Sequence, residues 1–287
     1  MNVVATLAEG VLIGLLYGLL GAGFSFSFAS ARFVNFFYGG IVLWGMYLTV
    51  IGAKAGVPLW ILGFGVIVVS ALTGMLAYWL ILNRVIDLSE ELQIVGTFGL
   101  LIALVSAGQL VFTSDAYQAV TRLPSISLGS ASIRSSVIVA GLGAAVCLAI
   151  VGYWLKATPG GKRLRAATNN EVGAVLSGVN VSRAHSAGQV VCFAMAGAGG
   201  FLLMLFGVVF PTQGLELGVL AFVVAVLGGM GHLPGAVAAG VLLGVLVAIG
   251  TLFLPLSMVP VARAAIIVVI MAIRPRGIFG AGVMGKH

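Results

Sequence analysis

The sequence reads as an all-α membrane protein, a polytopic helical bundle, on three observations. Of its 287 residues, 61% are hydrophobic and only 7% are charged, against about 25% charged in a soluble domain. Mean hydropathy is +1.22. The apolar residues run continuously over lengths near the roughly 20 residues that cross a bilayer core, and not in the alternating segments of about ten that build a membrane barrel. So little charge cannot cover a soluble surface, which excludes a soluble enzyme, a nucleic-acid-binding module and a disordered chain. Forty-two glycines are roughly twice the usual share; in lipid, small residues let helix backbones approach closely.

The runs fall at 10–29, 35–51, 58–82, 92–112, 136–155, 186–209, 218–230, 235–254 and 258–273. The run 218–230 is too short to span unaided. Counting it as a broken or re-entrant helix predicts eight or nine crossings, all within one transmembrane domain over 1–287. Gly10, Gly14 and Gly18 recur at four-residue spacing in the first run, as in helix pairs packed face to face. Cys147 and Cys192 lie within apolar runs, without metal-ligand spacing, and read as small core residues.

Charge sets the orientation. The polar stretch 156–185 carries Lys156, Lys162, Arg163, Arg165 and Arg183 against one acid, Glu171. Placing it in the cytoplasm and alternating outward puts ten Lys/Arg inside and four outside, as the positive-inside rule expects. If the short run 218–230 crosses, the N-terminus lies outside and the C-terminus inside; if it is only re-entrant, one end changes side. The net charge of +7 follows from this topology and needs no nucleic acid.

Two places interrupt the helical pattern. One surrounds Asn35, Tyr38, Gly39 and Gly40; the other surrounds Gly228, Gly229, Gly231, His232, Pro234 and Gly235. Glycine frees the backbone and proline removes a donor. Irregular backbone at membrane depth survives only against protein or a water-filled cavity. Breaks in corresponding positions of two halves fit a transporter built from an internal repeat. Asn35 and Tyr38, together with Thr97 and Ser25, are therefore the candidates to line a translocation path.

The residues for catalysis are missing. His185, His232 and His287 have no ligand spacing, and the seven acids all lie in loops or at span ends. A proton- or sodium-driven carrier usually keeps ionisable groups within the membrane. Gly160-Gly161-Lys162-Arg163 fails the phosphate-loop pattern, because Lys156 stands where the first glycine belongs and Arg163 where Ser or Thr does. Any ATP-binding site must come from another chain.

The stretch 161–185 carries Leu164, Ala167, Val172, Val175 and Val179 at roughly helical spacing. Thr168 to Asn170 followed by Glu171 suggests a helix start, and Gly178 a stop. A short amphipathic helix in a loop of a membrane bundle suits either a docking element or a helix lying on the lipid surface.

Four elements then resemble one family, the branched-chain amino acid ABC transporter permeases. Asn35-Phe36 with Gly39 is similar to its Asn-Phe-Ala-His-Gly stretch. Arg165-Ala166, Asn170-Glu171, Ala174 and Gly178-Val179-Asn180 resemble its cytoplasmic coupling segment, here about 160–183. Leu227-Gly228-Gly229-Met230-Gly231 with Pro234-Gly235 resembles its Leu-Gly-Gly-Ile-Gly-Ser-Pro-Gly element, and Arg274-Pro275-Arg276-Gly277-Ile278-Phe279-Gly280 its C-terminal Arg-Pro-x-Gly-Leu-Phe-Gly. The match is nearer the smaller of that family's two permease subunits. Two departures stand out: Phe37-Tyr38 replaces Ala-His, and His232-Leu233 replaces Ser-Ile or Ser-Leu. A tyrosine facing the path would change its width and hydrogen bonding, and with them which branched-chain amino acid or related solute it passes.

The resemblance implies a permease of an ATP-binding-cassette importer in a bacterial inner membrane. It implies a second permease subunit, two cytoplasmic ATP-binding subunits that hold the ATP and magnesium, and an external substrate-binding protein. This chain itself would carry no cofactor. Arg165, Asn170, Glu171, Ala174 and Gly178 would form the coupling lever, and the solute would be a branched-chain amino acid or a related small organic molecule. The alternative is an autonomous channel or secondary carrier.

Overall fold

The computed structural model describes residues 3–86, 88–112, 115–118, 126–128 and 131–253, with isolated positions beyond. The apolar run 258–273 and the element 274–280 therefore lie largely or wholly outside the described residues. Among the described residues, seven helices are long and apolar enough to cross a membrane: α1 Val3–Ala31, α2 Phe37–Lys54, α3 Leu59–Ala77 with its continuation to Val85, α5 Glu90–Phe112, α6 Ser135–Ala157, α9 Val181–Met204 and α11 Leu233–Phe253. The continuation of α3 is a π-helical turn, Tyr78–Leu82, followed by the short α4, Asn83–Val85. The short apolar run becomes α10, Gln213–Gly228, 16 residues long. The chain is a multi-pass membrane protein. A small addition to the helical reading is a hairpin, β1 Ile126–Leu128 against β2 Ala131–Ile133, paired antiparallel with Ile126 opposite Ile133.

α2 and α9 form the buried centre, and α5 is the most exposed of the spans. Glycine explains how the helices come so close. The stripe Gly10, Gly14, Gly18 of α1 faces α11 within the same chain: a Cβ on Gly14 would lie 2.7 Å from the Val241 Cα, and one on Gly240 would strike the backbone of Gly18. Between helices in lipid, van der Waals contact of this kind replaces the hydrophobic effect as the main source of association.

One end of the bundle is tied by Tyr117 and Val209, which exchange two backbone hydrogen bonds of 2.9 and 2.8 Å, and by Lys54 over the Tyr117 ring at 4.5 Å. The opposite end carries α7, Pro159–Asn169, and α8, Glu171–Leu176. There the Arg32 guanidinium donates to the Thr168 carbonyl at 3.3 Å, fastening the end of α1 to α7.

Candidate functional site: a polar seam between two helix breaks

The first break begins where α1 stops. Arg32 takes φ of 55°, a left-handed conformation that is unusual for a bulky residue. Residues 33–36 then run back alongside α1, with Phe33 and Asn35 fully buried, before α2 starts. Arg32 is exposed and Val34 and Phe36 are half-buried, so the irregular backbone is covered by protein chiefly at Phe33 and Asn35. The Thr97 hydroxyl on α5 reaches the Val34 carbonyl at 3.2 Å and its own helix's Gln93 carbonyl at 3.0 Å. Gly39 and Gly40 sit within the first turn of α2, just past the break. A Cβ on Gly39 would lie 2.6 Å from the Gly218 Cα, and one on Gly40 2.6 Å from the Leu104 Cδ1, so these two positions admit α10 and α5.

The second break joins α10 to α11. Gly229 and Gly231 take φ of 88° and 85°, conformations that favour glycine. Gly228 packs against the backbone of Ala236 so closely that a Cβ has no space. Pro234 stands in the first turn of α11, where its missing N–H costs nothing. His232 accepts from the Gly235 N–H through Nδ1 at 3.0 Å, the bond a capping serine would otherwise make.

Both breaks abut the last third of α1. The Ser25 hydroxyl accepts from the Gly231 N–H at 2.9 Å. Asn35 Nδ2 donates to the Ser27 hydroxyl at 3.5 Å; that hydroxyl donates to Gln189 Oε1 on α9 at 3.0 Å. Gln189 Nε2 donates in turn to the Ser30 hydroxyl at 2.9 Å and the Ser27 carbonyl at 3.3 Å. All these side chains are buried. Above them, Phe24, Phe36, Phe98 and Phe222 pack edge-on or tilted, with centroids 5.4–5.9 Å apart. Tyr38 joins this cluster edge-on to Phe24 at 5.9 Å. Its hydroxyl rests over Gly23, where a Cβ would strike it. Asn35 Oδ1, Tyr38 OH and Tyr47 OH are buried without a protein partner among the described residues.

The structure thus brings Asn35, Tyr38 and Thr97 together at the first break and places Ser25 at the second. Ser27, Ser30 and Gln189 were not singled out in the sequence, yet they tie the first break to α1 and α9. The available signal was a glutamine inside an apolar run, where an amide needs a partner. A search confined to ionisable groups passes over it.

At the far end three side chains cap successive helices. Thr158 Oγ1 accepts from the Gly161 N–H at 3.2 Å, Asn170 Oδ1 from Gly173 at 2.8 Å and Asn180 Oδ1 from Arg183 at 2.9 Å. The start of α8 is therefore Asn170, not Thr168, which belongs to the last turn of α7; Glu171 is the first helical residue. Gly178, with φ of 76°, ends the helix as expected, and the Val179 N–H returns to the Ala174 carbonyl at 2.9 Å. Leu164, Ala167 and Ala174 face the bundle. Val172, Val175 and Leu176 face away, 71%, 57% and 85% exposed, so the apolar residues of this stretch lie on two faces instead of one. Arg165, Asn170, Glu171 and Gly178 are exposed.

A closely packed helical bundle with irregular backbone and a polar seam held inside it defines a membrane transport component. The chain belongs to the family described as branched-chain amino acid transport system / permease component, whose model matches residues 6–273. It is 29% identical over 299 residues to the high-affinity branched-chain amino acid transport system permease protein LivH of Escherichia coli (strain K12), covering 95% of this chain and 94% of the relative. The LivH of Salmonella typhimurium is similar to the same degree. BraD of Pseudomonas aeruginosa, a permease protein of the same description, is 26% identical over 292 residues, covering 96% and 94%. No solved structure matches the chain. It is a permease component, in a family of transport proteins and not of enzymes.

Proposed function

We propose that the chain is one permease subunit of an ATP-binding-cassette importer in the bacterial inner membrane, moving a branched-chain amino acid or a related small organic solute. A second permease completes the path. Two ATP-binding subunits, which hold the ATP and magnesium, dock on α7 and α8. An external binding protein delivers solute at the opposite end. The α7–α8 end faces the cytoplasm, with the C-terminus on that side, as the excess of lysine and arginine there supports.

The observation that carries this reading is α8. Its apolar side chains point away from the bundle on a helix fixed by Asn170 and Gly178, beside the exposed Arg165 and Glu171. An apolar patch on a polar end of the molecule marks an interaction surface. A lever of this kind needs firm attachment to the breaks it moves, and the Arg32–Thr168 contact supplies one.

The path opens where the two breaks part. Asn35 and Tyr38 offer it polar atoms without protein partners. Ser25 and Thr97 hold the breaks in place and line the path when it opens, and Gly39, Gly40, Gly228, Gly229 and Pro234 permit the geometry.

Co-purification tests the assembly. A tagged chain extracted in mild detergent is expected to bring down two ATP-binding subunits and a second permease. Leu176→Asp should lose the ATP-binding subunits and keep the permease, and Glu171→Ala should lower coupled transport without loss of folding. A solitary chain, or retention of the ATP-binding subunits by Leu176→Asp, would overturn this reading.

A further inference from the structure

A cavity of about 560 Å³ opens at the α7–α8 end, between the end of α1, the π-helical turn, the α7–α8 junction and the start of α9. Its size falls in the roughly 300–1,000 Å³ range of small-molecule sites. It borders the seam at Ser30 and shares Arg32, Thr168 and Glu171 with the attachment of α1 to the α7–α8 lever, and the importer reading assigns it no ligand.

Its lining has two opposite charges and an apolar wall. Arg32 brings a guanidinium, whose contact with the Thr168 carbonyl engages one nitrogen of a fork of five donors. Glu171 brings a carboxylate, with His185 beside it. Tyr78, Ile86 and Val181 supply the wall. Arg32 holds its place in a left-handed backbone conformation; strain kept at a bulky residue points to function. The π-helical turn that carries Tyr78 is likewise a feature frequent at functional sites.

We propose that this cavity binds a free α-amino acid with an apolar side chain, presented from the α7–α8 side. The guanidinium of Arg32 takes the carboxylate, bidentate as the fork allows. The Glu171 carboxylate takes the ammonium, and the side chain lies against Tyr78, Ile86 and Val181. A ligand so placed joins α1, α8 and α9 across the α7–α8 junction, so its occupancy restrains the lever and slows further import. The regulatory half rests on the importer reading above; the binding half does not.

Two arms of one experiment separate them. In the first, the purified complex is titrated with labelled L-leucine. Arg32→Asn keeps a residue that tolerates left-handed backbone and removes the guanidinium. Ile86→Trp fills the wall and leaves Arg32 and its Thr168 contact intact. Each is expected to weaken binding at this site at least about tenfold. In the second arm the complete importer is sealed in proteoliposomes with ATP and L-leucine inside, and labelled L-leucine with the binding protein outside. Internal L-leucine should slow uptake in the unmodified protein and have no effect on either variant; the basal rate stays unchanged in Ile86→Trp, which carries the test, and falls in Arg32→Asn, which also loses the Thr168 contact. 4-Methylpentanoate, which lacks the ammonium, and 3-methylbutylamine, which lacks the carboxylate, should not inhibit.

Binding unchanged in both variants overturns the site. Uptake indifferent to internal L-leucine, or inhibited equally by the half-charged analogues, overturns the regulation. Absence of any ATP-driven uptake counts against the importer reading and removes the regulatory half, while the binding arm still decides the site.

Discussion

Along its first half α1 meets α11 through Gly10, Gly14 and Gly18; along its last third it meets the two breaks through Ser25, Ser27 and Ser30. In the first region backbone touches backbone. A Cβ on Gly14 would come within 2.7 Å of the Val241 Cα, and nothing there can shift without the whole helix moving. In the second region the neighbours are held by hydroxyls and one amide at 2.9–3.5 Å. Close packing has one good arrangement and fails steeply when overfilled. Hydrogen bonds among short polar side chains can exchange partners at small cost, since such bonds within membranes average about 0.6 kcal/mol. The same helix therefore offers a fixed base over its first half and an adjustable joint over its last third.

The largest effect should follow from filling the fixed base. Gly240→Leu puts a branched side chain into the backbone of Gly18 and is expected to cost about 3 kcal/mol or more. The protein should extract poorly and melt well below the unmodified chain in detergent, as followed by size-exclusion fluorescence. A melting temperature equal to that of the unmodified chain would show that the two helices can separate, and the contrast would collapse.

The joint should respond the other way. Gln189→Leu removes the amide that links Ser27 to Ser30 and keeps a similar volume. The expected loss of stability is about 1 kcal/mol, near the membrane average for such bonds. Transport should suffer more. Mutations along an energetic link between sites shift coupling by about 0.5–2 kcal/mol, which is roughly a twofold to thirtyfold loss of ATP-driven uptake. A variant as unstable as Gly240→Leu would make the seam part of the fixed base. A stable variant with normal uptake would deny it any part in the motion.

The fixed base was easier to read from sequence than the joint. Glycine at positions 10, 14 and 18 has one common use in an apolar helix, and the structure fulfils it within the chain. The interruptions at 32–40 and 228–235 were also legible, because glycine, proline and asparagine mark them locally. What ties the first of them to α9 was not. Ser27 and Gln189 are 162 positions apart, and each alone looks like an ordinary small or polar residue in a span. The start of α8 shows a related limit. Thr168, Asn169 and Asn170 are all able to cap, and the choice of Asn170 follows from α7 extending through Thr168, whose carbonyl then receives Arg32. Likewise the spacing of Val172 and Val175 fixes a helical face but not the direction in which that face points.

The smallest effect, and the sharpest for the joint, concerns Tyr38. Its hydroxyl is buried over Gly23 without a protein partner among the described residues. An unsatisfied buried hydroxyl costs about 1–3 kcal/mol, so Tyr38→Phe should leave the bundle as stable as before or firmer by up to about 1 kcal/mol. Gly23→Ala should destabilise the unmodified chain, because its Cβ strikes that hydroxyl. In the Tyr38→Phe background part of this cost should return, though not all, since the ring Cζ would remain 3.0 Å from the new Cβ. A thermal-melt double-mutant cycle isolates that coupling. Uptake decides what the hydroxyl is for. If it meets solute when the breaks part, Tyr38→Phe raises the solute concentration for half-maximal uptake even as stability holds or improves. If uptake is unchanged while stability improves, the hydroxyl takes no part in the path, and Asn35 Oδ1 is left as the buried polar atom at the first break without a protein partner among the described residues.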